Sequence, residues 1–178
     1  SPSRLLKWRI PWAGPMAGCV LADFGARVIK VEHPTGEVAR KLRPLLPDSP
    51  AELSLLHETV NRNKHSLTLC LSVPAGRDLF LDLARRADIV IENFRPGTMA
   101  AWGVGYEQVR AVKADIVYVS VSGFGQFGVL SERVGYDPIA QNYSGFSSIN
   151  GDPDGAPVKA ATYLADDLGG VHAALGAL

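Results

Sequence analysis

Short runs rich in β-branched residues alternate with segments of helical periodicity along most of this chain. That alternation restricts the fold more tightly than any other feature. RVIKVE (Arg27–Glu32), SLTLCL (Ser66–Leu71), DIVIE (Asp88–Glu92) and DIVYVSVS (Asp115–Ser122) each read as a strand, and Leu5–Arg9 as a short first one. Between them lie helical patterns. Met16–Phe24 has Pro15 in its first turn and Gly25 to close it. A helix after Ser72, capped by that serine and with Pro74 in its first turn, carries Leu79, Phe80, Leu83 and Ala84 as its expected buried stripe. Tyr106–Val112, Pro138–Phe146 and a last segment from LADDLGG onward complete the helical set, and His33–Pro50 reads as a proline-rich, charged excursion. Strands separated by helices imply an α/β fold with an open, mainly parallel sheet flanked by helices. Sheets of this kind place their sites at the carboxyl ends of the strands.

Charge argues against several classes of partner. Lys plus Arg and Asp plus Glu both number 18, so no basic face is expected for nucleic acid or an anionic membrane. No apolar run approaches the roughly 18–20 residues of a membrane span. Cys19 and Cys70 lie far apart with no metal-ligand spacing, so neither a zinc site nor a disulfide framework is expected, and a reducing cytoplasm is the default compartment. Arg4, Lys7 and Arg9 ahead of IPWAGPMAGC imitate an export signal, but two prolines interrupt a very short apolar core.

Two segments carry candidate chemistry. GFGQFG, with Gly123, Gly125 and Gly128, matches a dinucleotide-binding fingerprint letter for letter. That motif requires a helix to open on its third glycine, and the polar VLSERVGYDP that follows is a poor helix start, so a mobile loop beside a ligand is the better reading. In LADDLGG, Asp166 and Asp167 stand at the entrance of the last helix. There an aspartate is an ordinary N-cap, and the same position keeps a carboxylate ionised.

Six segments recur together in order: AGPMAGCVLADFGARVIKVEHP from Ala13, NRNKHSLTL from Asn61, DIVIENFRPGTMAAWGVGYE from Asp88, VSVSGFGQFG from Val119, GYDPIAQNYSG from Gly135 and YLADDLGG from Tyr163. In that order and spacing the chain resembles the class III CoA-transferases of the CaiB/BaiF type, which include formyl-CoA transferase and, as a branch, the α-methylacyl-CoA racemases. The resemblance implies a Rossmann-like large domain of an interlocked homodimer. Residues 1–178 would then be an N-terminal CoA-binding and catalytic domain ending within a helix, with a second domain and a C-terminal return segment absent. It implies an acyl-CoA and a carboxylic acid acceptor as substrates, no metal, and Asp166 as the nucleophile. It places Trp12, Ala13, His33, Lys64, Leu69, Ser72, Asn93, Phe94, Arg95, Arg133, Gly135, Tyr136 and Asp137 at CoA. Four aligned positions that are basic in formyl-CoA transferase are here His33, Ser72, Ala101 and Val134, and Trp12 replaces a glutamine that meets the acyl group. Arg95, Arg133, Arg62 and Lys64 are the expected replacement charges for the phosphates. Tyr136 stands where the racemases carry a histidine. A tyrosine, with its ordinary pKa of about 10, is a poor proton-transfer base near neutrality, which favours transferase over racemase. An inactive or partner-dependent CoA-binding domain is the remaining alternative.

Overall fold

A computed structural model describes residues 12–48 and 52–178, so the strand expected at Leu5–Arg9 lies outside the described residues. The elements in chain order are α1 (Ala13–Asp23), β1 (Val28–Glu32), α2 (Leu55–Asn61), β2 (Lys64–Thr68), α3 (Pro74–Ala84), β3 (Ile89–Glu92), α4 (Thr98–Ala101), α5 (Tyr106–Val112), β4 (Val117–Ser120), α6 (Asp137–Tyr143) and α7 (Leu164–Ala177). Single 3-10 turns occur at Val38–Lys41 and Phe146–Ser148. The fold is the expected α/β type, with parallel strands flanked by helices. β1 pairs with β2 from Val28 opposite Lys64 to Glu32 opposite Thr68, and β3 with β4 from Ile89 opposite Val117 to Glu92 opposite Ser120. Among the described residues these are two separate two-stranded ladders.

α1 unites the two ladders. Its run of small residues, Ala13, Gly14, Ala17, Gly18 and Ala22, is buried almost throughout and admits close neighbours on several sides. Ala17 and Leu21 pack with Ala174 of α7, and Val28 of β1 and Ile89 and Ile91 of β3 close around them. The α1–α7 crossing is tight. A Cβ on Gly170 would lie 2.8 Å from the Ala13 carbonyl oxygen and 2.7 Å from Met16 Cβ. A second cluster, Ala84, Val109 and Ile116 with Phe80, Val90 and Tyr118, joins α3 and α5 to the other side of the β3–β4 ladder.

Several boundaries differ from the sequence expectation. β2 stops at Thr68: Leu69 N–H makes a last bond to Glu32 O at 2.7 Å, and the chain then turns so that the Cys70 carbonyl presses on Gly76, where a Cβ would lie only 1.8 Å from that oxygen. Val73, not Ser72, is the N-cap of α3, and Leu79 faces solvent at 56% exposure instead of joining the buried stripe. α2 and α4 were not expected. Ser54 Oγ caps α2 by accepting from His57 N–H at 3.3 Å. No helix opens on Gly128; the next begins at Asp137, as the polar sequence between them implied.

Candidate active site

The carboxyl ends of the strands deliver most of the expected residues to one edge. His33 follows β1, Leu69 follows β2, Asn93–Arg95 follow β3, and the loop from Gly123 follows β4. The first turn of α1 reaches the same edge, since a Cβ on Gly14 would sit 2.8 Å from Asn93 Cγ. The α1–α7 crossing then brings the start of α7 beside it. Gly123 and Gly135 lie back to back, a Cβ on Gly123 falling 2.3 Å from Gly135 Cα, so only glycines allow the β4 loop to meet the segment entering α6.

Three aspartates surround the first turn of α7, and their environments differ. Asp137, 2% exposed at the start of α6, accepts from Gln141 Nε2 through Oδ2 and from the Ala165 backbone N–H through Oδ1, both at 2.8 Å. It therefore caps α7 from another helix. Gln141 extends the clamp by accepting the Ala160 N–H at 2.7 Å. Asp167 accepts the Trp12 indole N–H at 2.6 Å and the Thr162 hydroxyl at 3.3 Å, so it is neither an N-cap nor a solvated acid. Trp12 is buried and its ring lies 4.9 Å from that of Tyr163, the residue at the N-cap position of α7.

Asp166, half-buried, occupies the third position of α7 and not the cap, and its carboxylate has no hydrogen-bond donor among the described residues. Burial pushes its pKa up to about 6, and the negative charges of Asp137 and Asp167 add to the shift. Burial and the two like charges thus raise its basicity against the helix dipole, which favours the ionised form. Above pH 7 it remains mainly a carboxylate, and an unusually basic one.

The remaining expected contacts are spread along the edge. His33 is exposed, its Nδ1 2.9 Å from Thr35 Oγ1. Leu69 is half-buried, and Ser72 is exposed with its hydroxyl 3.3 Å from Cys70 Sγ. Phe94 stands edge-on to Trp102 at 5.1 Å, and Ala13 is buried under α7. Arg95 and Arg133 are exposed, Arg133 donating to Tyr143 Oη at 3.2 Å, and Tyr136 is the partly exposed N-cap of α6.

Two residues expected at CoA are engaged elsewhere. The carboxylate of Asp137 is committed to α7 and Gln141. Lys64 points inward beneath α1, its ammonium donating to Pro15 O at 2.6 Å, Val60 O at 2.7 Å and Asn61 Oδ1 at 3.0 Å, and desolvation brings its pKa down to about 8. Arg62 pairs with Asp23 at the far end of α1, about 16 Å along the helix at 1.5 Å per residue. Of the cations expected at the ligand, Arg95 and Arg133 are exposed, as is His33 after β1.

Sequence reasoning missed Gln141, Thr162 and Tyr163, and also Glu92. The i, i+4 spacing of Asp137 and Gln141 on one helix was the available signal for the first. Glu92 is buried at the end of β3, where burial raises its pKa while Phe94 N–H donates to it at 2.8 Å. It floors a cleft of about 650 Å³ lined also by Arg95, Tyr106, Tyr118, Ser120 and Gln126. Among the described residues no group of three or more His, Cys, Asp or Glu is arranged to hold a metal ion, and no helix is long and apolar enough to cross a membrane.

Comparison with known proteins gives consistent matches. The family model described as CoA-transferase family III matches residues 4–178. Succinate–glutarate CoA-transferase of Agrobacterium fabrum is 43% identical over 164 residues, covering 90% of this chain and 41% of that protein. Succinyl-CoA–D-citramalate CoA-transferase of Chloroflexus aurantiacus is 40% identical over 167 residues, covering 93% and 41%. The crystal structure of a CAIB/BAIF family protein from Brucella suis superposes with a TM-score of 0.89 at 36% identity, covering 93% of this chain and 44% of that one. The chain spans about two fifths of the length of the curated relatives it matches.

Proposed function

The chain belongs to CoA-transferase family III, and from that membership we propose that it is the CoA-binding and catalytic part of an enzyme that moves coenzyme A between an acyl-CoA and a free carboxylic acid through Asp166. The observation that carries this reading is the contrast among the three aspartates. Asp137 and Asp167 each accept two hydrogen bonds, whereas Asp166 has no donor among the described residues and is the more basic for its burial. A half-buried, basic carboxylate with no protein donor on it is suited to attack a thioester carbonyl.

In the proposed reaction an Asp166 oxygen attacks the thioester carbonyl carbon, and the C–S bond breaks to leave a mixed anhydride and CoA thiolate. The thiolate attacks the aspartyl carbonyl, releasing the donor acid as its carboxylate and leaving an aspartyl-CoA thioester. The acceptor carboxylate then attacks that thioester, and the sequence runs in reverse to give the new acyl-CoA and free Asp166. Each tetrahedral oxyanion needs oriented donors. Arg95, Arg133 and His33 would meet the phosphates of CoA along the strand edge, and Trp12 and Tyr163 would wall the acyl side. None of the four histidines lies in the first turn of α7. His172, the nearest in sequence, turns its Nδ1 to Leu168 O at 2.7 Å, which supports a transferase over a racemase.

The matched relatives are named for succinate, glutarate, D-citramalate and, in Acetobacter aceti, oxalate, so these acids and their CoA esters are the first substrates to test. A homodimer and a cytoplasmic location belong to the same reading. The test is exchange of isotopic label between an acyl-CoA and its free acid, with CoA affinity measured in parallel by calorimetry. Asp166→Ala should lose exchange by at least about 1,000-fold while binding CoA within about threefold of the unmutated chain. Exchange that survives in Asp166→Ala refutes the proposal.

A further inference from the structure

Asp137 presents a problem that capping alone does not solve. Both of its oxygens accept from N–H donors, Oδ2 from Gln141 Nε2 and Oδ1 from the Ala165 amide. It is 2% exposed, yet forms no ion pair among the described residues. Burying an unpaired charge is costly, and asparagine or serine would cap a helix about as well. A charge retained at that cost needs a recipient, and the adjacent group is the carboxylate of Asp166.

We infer that Asp137 is a positioning residue for Asp166: from α6 it pins the first turn of α7, on which Asp166 rides, and it sets a fixed negative charge beside the Asp166 carboxylate. The inference rests on the reading of Asp166 as the nucleophile. The surroundings isolate the effect. The other charge near Asp166 is Asp167 on its own helix, already held by Trp12 and Thr162. α1 presents Trp12, Ala13 and Met16 and the β3 loop presents Asn93, none of which titrates. β4 turns Tyr118 to the opposite side of its ladder, its hydroxyl 3.4 Å from Val104 O, and His172 lies farther along α7. With no cation in this set, the Asp137 carboxylate is, after burial, the largest influence that makes Asp166 more basic. The consequence for reaction is an oxygen nucleophile whose position Asp137 fixes through Ala165 and whose basicity Asp137 raises beyond what burial alone gives.

The test separates charge from cap. Asp137→Asn and Asp137→Ser both retain an oxygen acceptor for the Ala165 N–H. The Asp166 carboxyl carbon is followed by 13C NMR as a function of pH, its signal identified by its loss in Asp166→Asn. The midpoint should lie near 6 in the unmutated protein and fall by about one unit, tenfold in proton affinity, in either neutral variant. The acid limb of the exchange rate should move down with it, with KM for the acyl-CoA held. An unmoved midpoint in a folded variant overturns the inference, and unfolding of both neutral caps reduces Asp137 to a structural acid and overturns it too. Persistence of exchange in Asp166→Ala would instead remove the nucleophile reading while leaving the titration result standing.

Discussion

Replacing Gly170 with alanine, set against the same change one residue earlier, tests whether the α1–α7 crossing is as close as described. At Gly170 a new Cβ would lie 2.8 Å from the Ala13 carbonyl oxygen and 2.7 Å from Met16 Cβ, separations that real Cβ atoms do not tolerate. The obstacles include backbone, so relief requires the two helices to part by several tenths of an ångström. Overpacking of this kind costs about 1–3 kcal/mol. Alanine returns up to about 1 kcal/mol through helix propensity. The net loss is then about 1–2 kcal/mol, which lowers Tm by about 5 °C in a chain of this size. At Gly169 the new Cβ would meet only Ala13 Cβ, at an ordinary 3.9 Å. Propensity then acts unopposed, and Gly169→Ala should raise Tm by about 2 °C. Thermal melts followed by circular dichroism decide the matter. If Gly170→Ala melts at or above Gly169→Ala, the close crossing, and with it the placement of Asp167 against Trp12, is wrong.

Three further outcomes are expected. Because the folded-state pKa of Lys64 is about 8, below its unfolded value of about 10.4, the unfolded chain binds more protons between those values. The unfolding free energy of the unmutated chain relative to Lys64→Met, measured in urea, should therefore rise by roughly 1 kcal/mol per pH unit between about pH 8 and 10, and a flat difference would contradict the inward-facing ammonium. Trp12→Phe keeps a ring on Tyr163 but removes the donor to Asp167, and should cost about 1–2 kcal/mol in chemical denaturation; a neutral result would mean the 2.6 Å bond carries no stability. Trp12→Gln should shift the order of exchange rates across a panel of acids, and an unchanged order would remove Trp12 from the acyl wall.

The legible parts of the fold were those with local causes. β1 and β3 announce themselves by runs of valine and isoleucine, and α5 by its own periodicity, and each lies within a residue of its expected limits. α2 was hidden because seven residues after a charged excursion carry too little periodicity to distinguish a helix from a loop, although Ser54 and Glu58 mark its start. The site was legible in its chain positions and not in its partners. That Asp166 would stand at the entrance of α7 followed from LADDLGG. That Asp137 would cap that helix from 28 residues away, and Trp12 would bind Asp167 from 155 away, depends on helix packing that no local pattern encodes. Lys64 misled for the same reason. An ammonium in NRNKHS reads as a surface cation until α1 is laid over it.

The burial of α1 against α7 also sets a timetable for synthesis. Asp23 closes α1 and Leu164 opens α7, so about 140 residues separate the two helices along the chain. At about 5–20 residues per second, a ribosome needs roughly 7–30 s to deliver the second after the first. For that interval Ala17 and Leu21 lack Ala174, while the β1–β2 ladder can already form beneath them. The nascent chain thus passes through a stage in which its first helix offers an uncovered apolar face, a stage at which a chaperone bound to the N-terminal portion would compete directly with α7.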